Sequence, residues 1–139
     1  MIEDGDKRTV AGVLVKVLVH RRDDRGMRLE DFASRCVRKG EVHELVTTDH
    51  DVADTSIDRV GFLGFTEIAT GGVIDRGDEV RIGDRHIGTV LGFDACHFPN
   101  HYNILIHRDA PVTGREIELT PESTVHFIQS EPAANRVAR

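Results

Sequence analysis

The sequence predicts a mostly β protein, a small β-barrel with one short α-helix. Three observations carry that expectation. Short Val- and Ile-rich runs alternate in polarity, glycines at 71, 72, 77, 83, 88 and 92 punctuate them, and only one stretch has apolar residues at helical spacing. A chain of 139 residues is the size of one domain and can bury a core without disulfide staples. The patterned region spans 10–128, between a flexible N-terminus at 1–9 and a flexible C-terminal tail at 129–139.

Taken in order, "VAGVLVKVLVH" (Val10 to His20) is a strand with Val13, Val15, Val17 and Val19 on one face and Lys16 and His20 on the other. "RRDDRG" is a polar turn. "MRLEDFASRCVRKG" sets Leu29, Phe32, Ala33 and Cys36 at helical spacing, with Gly40 as a stop, and is the one predicted helix. Glu41 to Thr48 reads as a strand and "DHDVADTS" as a loop. Ile57 to Ala69 is strand-like, and its two glycines predict a bulge or a close backbone approach. Strands at Glu79–Ile82 and His86–Gly92 flank a Gly-Asp turn suited to a hairpin. "NHYNILIHR" continues as a strand with Ile104 and Ile106 on one face, and "REIEL" and "STVHFIQ" add two more.

Composition narrows the partners. The chain has 18 basic and 24 acidic residues, a formal charge of −6, and the bases are scattered among acids. Such a surface repels a nucleic acid backbone, which needs clustered Lys and Arg. No apolar run approaches the ~18 residues of a membrane helix. Cys36 and Cys96 form no CxxC pair, and the opening "MIEDGDKR" has no secretory pattern. A cytoplasmic protein with reduced thiols is the expectation, with a small-molecule ligand as partner and neither nucleic acid nor membrane.

Two polar clusters hold the candidate chemistry. The first, "EVHELVTTDHD", contains His43, Glu44, Asp49 and His50. The second, "ACHFPNHYN", contains Cys96, His97, Asn100, His101 and Asn103. Both mix hydrogen-bond donors and acceptors of the kinds used for proton transfer or metal ligation. A His against a carboxylate is an acid–base pair, and the Asn amides can orient a substrate. His97 and His101 stand four residues apart and are the candidate ligands for a divalent metal, though Pro99 between them predicts a turn instead of a helix. No HxH, HExxH or CxxC spacing is present. Cys96 is a candidate nucleophile, but His97, its chain neighbour, points the other way, and a small buried thiol is the commoner arrangement. His20, His86, His107 and His126 sit singly and read as packing or surface residues, and Glu67 as an exposed strand glutamate. The glycines of 71–92 match neither phosphate-cradling motif and read as turns.

The order of elements resembles the glucitol/sorbitol-specific enzyme IIA component family of the bacterial sugar phosphotransferase system. The residues that carry the resemblance are the early valine-rich strand, "RLEDFASRCV", the central "GFTEIATGGVIDRGDEVRIGDRHIGTVLGF", "CHFPNHYNILIH" and the late "STVHFI", over roughly 10–128. The resemblance implies a β-barrel. That family's phosphoryl-accepting His-x-His would align with Leu63 and Phe65, neither of which can accept a phosphoryl group. It therefore implies a barrel kept and phosphotransfer lost.

Three functions are expected to compete. One is a homo-oligomeric small-molecule enzyme of lyase, isomerase or hydrolase type, using His/carboxylate acid–base chemistry. Another is a non-catalytic binding or regulatory module derived from the phosphotransferase barrel. The third is a metal-dependent enzyme using His97 and His101. Convergence of the two polar clusters in one pocket separates the enzymes from the module.

Overall fold

Alternating β-branched residues and well-placed glycines give ten strands in the computed structural model, which describes residues 5–130. They are β1 (Val10–Val17), β2 (Arg21–Arg22), β3 (Ser34–Val37), β4 (Val42–Thr48), β5 (Val60–Thr70), β6 (Gly72–Asp75), β7 (Glu79–Ile82), β8 (Arg85–Asp94), β9 (Asn103–His107) and β10 (Thr124–Ile128). The protein is mostly β. Eight strands form one sheet in the order β1-β10-β7-β8-β9-β4-β5-β2, and β5 also pairs with β1, so the ladder returns to its first strand. β3 and β6 make a separate two-stranded sheet. Every pairing is antiparallel except β4 with β9, which run parallel.

Both faces of β4, β8 and β9 are covered, and alternation sorts their side chains between two apolar clusters. Leu45, Val90, Phe93, Ile104 and Ile106 join Leu14, Leu63 and Phe127 in the main core. Val46, Leu91 and Leu105 point the other way and pack with Met27, Ile57 and Val60. The cover over this second face is the chain on either side of the Met27–Ile57 bridge. Burying each such side chain stabilises the fold by about 1.5–3 kcal/mol. The expected glycine effect in β5 is present: a Cβ at Gly64 would strike the Lys16 carbonyl oxygen, and one at Gly61 that of Val112. The hairpin turn also forms as expected, with Gly83 at a left-handed φ of 59° between β7 and β8.

Four expectations are corrected. The predicted helix over 27–40 is absent, and no helix occurs among the described residues. Residues 34–37 pair with β6 instead. The apolar residues there are used individually and not as a helical stripe: Met27 bridges Ile57, Phe32 stacks on Phe93 at 5.8 Å, and Cys36 stays exposed. "REIEL" is a turn, not a strand, because Thr113 and Glu116 cap each other's backbone amides at 3.1 and 2.8 Å. In β1 the buried residues are Val10, Gly12 and Leu14, whereas Val15 and Val19 of the valine stripe are 41% and 48% exposed. The described parts of the ends are tied down. Lys7 Nζ donates to Asp75 and Asp78, Gln129 Nε2 to the Gly5 carbonyl, and Ser130 Oγ to that of Gly77. The expected flexible stretches 1–4 and 131–139 lie outside the described residues.

Candidate functional site

Register places three polar side chains side by side on the second face. Glu44 on β4 is paired with Asn103 on β9, and Asn103 with Asp94 on β8. Residues paired across neighbouring strands point the same way. All three are buried, at 8%, 0% and 3% exposure, among otherwise apolar neighbours. Burying so many polar atoms is costly without partners, and the segments above satisfy the row except for Asn103 Oδ1, which has no hydrogen-bond partner among the described residues.

The loop 95–102 supplies most of those partners. Residues 96–100 form turns around a cis Phe98–Pro99 bond, as the proline predicts against a helix. His101 N donates to the His97 carbonyl at 3.3 Å, a single i,i+4 turn. That turn brings the two imidazoles together, with ring centroids 5.1 Å apart and planes 33° from parallel. His101 Nε2 lies 3.3 Å from Glu44 Oε1, with both side chains 10% exposed. Its Nδ1 faces the Asn100 side-chain amide at 3.0 Å, and Phe65 packs edge-on against the ring at 5.2 Å. One ligand atom each from Glu44, His97 and His101 can be chosen so that all lie within 4.8 Å of one another.

Asp94 organises the floor. It accepts from the amides of Cys96 and Arg28 and from Asn103 Nδ2 at 2.9–3.0 Å. Burial pushes its carboxyl up, but hydrogen bonds from Cys96, Arg28 and Asn103 outweigh burial and hold it below the usual carboxylate range. Asn103 Nδ2 also donates to Cys96 Sγ at 3.3 Å. The Cys96 thiol is raised, first by partial desolvation and then by Asp94, and Arg25 offsets this only in part. Cys96 is exposed, so the buried-thiol expectation is wrong, and its raised thiol makes a poor nucleophile at neutral pH.

The first cluster divides. His43 faces away from Glu44, as adjacent strand residues must. Its Nδ1 accepts from the Tyr102 amide at 3.1 Å, and Nε2–H donates to Glu41 at 2.9 Å. It lines a cleft of about 200 Å³ with His101, Asn100, Phe98 and Arg35. His50 and Asp49 lie beyond the other end of β4, past Thr48, some 13 Å or more from Glu44 at ~3.3 Å per residue. His50 Nε2 accepts from the amides of Asp58 and Arg59 at 3.2 Å each, and Nδ1–H donates to Asp54 at 2.8 Å. Asp49 pairs with Arg59 at 3.0 Å. Both hold a loop and stand apart from the site. Of the expected residues, Glu44, Cys96, His97, Asn100, His101 and Asn103 come together, His43 adjoins them, and Asp49 and His50 do not.

Two residues of the site carry no signal as candidates in the sequence. Asp94 sits inside "GFDACHF", and only the β8–β9 register places it against Asn103. Arg25 lies in the polar turn "RRDDRG", yet its guanidinium reaches Cys96 Sγ at 3.3 Å and His97 Nε2 at 3.2 Å. Glu44 also lines a cleft of about 470 Å³ together with Leu18, His20, Arg21, Arg22 and Phe62.

These features define a mostly β domain with a half-buried two-histidine, one-carboxylate cluster on the outer layer of its sheet. The chain belongs to a family of unknown function, DUF6917, whose model matches residues 4–128. No curated protein and no solved structure matches it.

Proposed function

We propose that Glu44, His97 and His101 bind a divalent metal ion, and that the protein is a small-molecule enzyme whose pocket adjoins this ion. The observation that carries the reading is the convergence of these three ligand atoms within 4.8 Å, two of them on largely buried side chains. The 3.3 Å between His101 Nε2 and Glu44 Oε1 already approximates the ligand–ligand spacing on a tetrahedral zinc, about 3.4 Å for bonds of roughly 2.0–2.1 Å. Two histidines and one carboxylate leave coordination positions open, as catalytic metal sites require. When the Asn100 amide turns its Oδ1 to His101, that oxygen accepts from Nδ1–H and leaves the Nε2 lone pair facing Glu44. Asn100 is then a positioning residue. One cleft lined by Glu44 and another lined by His101 give a substrate room to approach.

Such a site serves a lyase, isomerase or hydrolase, with the ion polarising an oxygen or activating a water. Glu44 with His101 alone is also a His/carboxylate pair able to move a proton, and this metal-free version needs no further residue. The returning ladder supports a small barrel as its scaffold, and cytoplasmic homo-oligomers are the form in which we expect it. The alternative, a non-catalytic module derived from a phosphotransferase barrel, draws support from Leu63 and Phe65 at the positions that resemblance aligns with histidines. Equilibrium dialysis against Co²⁺ or Zn²⁺ tests the metal reading. One ion per chain is expected, with affinity at least about 100-fold lower in H101A and E44Q. Equal binding by wild type and H101A would sink it.

A further inference from the structure

We propose that Arg25 is the anion-recognition residue of this site, and that it occupies His97 until a metal displaces it, so that the ligand taken beside the ion is a small molecule bearing a carboxylate or phosphate. The inference rests on the metal reading above. A neutral imidazole has one ring-nitrogen lone pair, and a guanidinium can only donate. Arg25 Nη2, 3.2 Å from His97 Nε2, takes that lone pair and leaves the proton on Nδ1. No lone pair on His97 then remains for a cation, whichever nitrogen faces Glu44. Metal and Arg25 are therefore mutually exclusive partners of His97.

Arg25 is held for this role. Its amide donates to the Asp58 carbonyl at 3.1 Å, and Gly26, at a left-handed φ of 70°, donates to Asp58 Oδ1 at 3.0 Å. The Met27–Ile57 bridge fixes the next residue. Among the described residues the Arg25 guanidinium pairs with no carboxylate, and its side-chain partners are Cys96 Sγ and His97 Nε2. A thiol and an imidazole are weak partners for a guanidinium, which binds oxyanions in preference.

Charge points the same way. Without an ion, the formal charges of Glu44 and Asp94 outweigh Arg25 and the cluster attracts a cation. A divalent ion cancels the two carboxylates, and Arg25 then leaves the site positive and complementary to an anion.

The test loads wild type, Arg25→Met and Arg25→Lys with Co²⁺, follows its visible absorption, and then adds inorganic phosphate or malonate. Arg25→Met is expected to bind Co²⁺ about tenfold more tightly, because a competitor is gone. A merely supporting residue would give a loss instead. Phosphate or malonate is expected to shift the spectrum of wild type and, more weakly, of Arg25→Lys, but not of Arg25→Met. A response to one anion only assigns phosphate or carboxylate as the group recognised. Equal or weaker Co²⁺ binding by Arg25→Met, with anions shifting both spectra alike, overturns the role of Arg25 and leaves the metal site standing. Absence of Co²⁺ binding in both wild type and Arg25→Met overturns the metal reading and this inference with it. Far-ultraviolet circular dichroism of each variant confirms that the compared proteins are folded.

Discussion

His50 and His101 are both largely buried histidines beside a carboxylate, yet they do opposite work. Every ring nitrogen of His50 is committed: Nε2 accepts from two main-chain amides and Nδ1–H donates to Asp54. Those bonds fix one tautomer and tie the loop 49–59 to itself. His101 faces Glu44 on one side and a reversible amide on the other. A second histidine, His97, stands beside it and in turn meets the Arg25 guanidinium. A histidine whose acceptor nitrogen is consumed by main-chain amides is structural, and one whose partners are all side chains can exchange them for a ligand.

The comparison can be broken by mutation. The largest effect is expected at the site, where H101A lowers Co²⁺ affinity at least about 100-fold while the thermal midpoint changes little. H50A should do the reverse. Two partly buried amides lose their shared acceptor, each at the lower end of the ~1–3 kcal/mol for a fully buried donor, so thermal or urea denaturation should show a loss of about 1–3 kcal/mol with metal binding intact. If H50A weakens metal binding and spares stability, the division between the two histidines is wrong.

Asp94 sharpens the comparison, because it supports the site from below without being a ligand. D94N keeps the shape of the side chain but loses a charged acceptor of several hydrogen bonds, and is expected to cost about 1–3 kcal/mol at neutral pH by urea denaturation. The folded carboxyl lies below its ordinary value. Its contribution is therefore fully present above the unfolded value, near 3.9, and is lost as pH falls through the lower folded value. Wild type and D94N should converge in stability as pH drops below about 4, and a constant difference from pH 7 to pH 3 would refute the assignment. The smallest effect is expected at Asp49. Its pair with Arg59 is partly exposed, and such pairs contribute at most about 1 kcal/mol, so D49A should leave both metal binding and the thermal midpoint nearly unchanged.

Much of the site was legible in its residue types. The density of His, Asn and Cys between 96 and 103 marks the loop, and Pro99 argues for the turn that forms there. Spacing alone could not reveal that a single i,i+4 turn would still bring the rings of His97 and His101 together. The same spacing logic predicts a helix over 27–40 that does not form. Those residues find better partners in β6, Phe93 and the second face of the sheet, and tertiary pairing overrides a short periodic signal. "TTDHD" resembles a reactive cluster in composition, and only the backbone acceptors and donors around His50 distinguish it from one.

By itself the sequence determined the β class, because alternation and glycine punctuation act locally along each strand. It also determined which residue types could do chemistry, because these are properties of single side chains. Only the tertiary structure decided which of them meet. The parallel pairing of β4 with β9 aligns Glu44 with Asn103 across a separation of 59 positions, and the β8–β9 register adds Asp94. The covering segment then delivers Arg25 to His97. Contacts of that range depend on which strands become neighbours and in what register, and a one-residue slip in either ladder would turn the polar row to the other face.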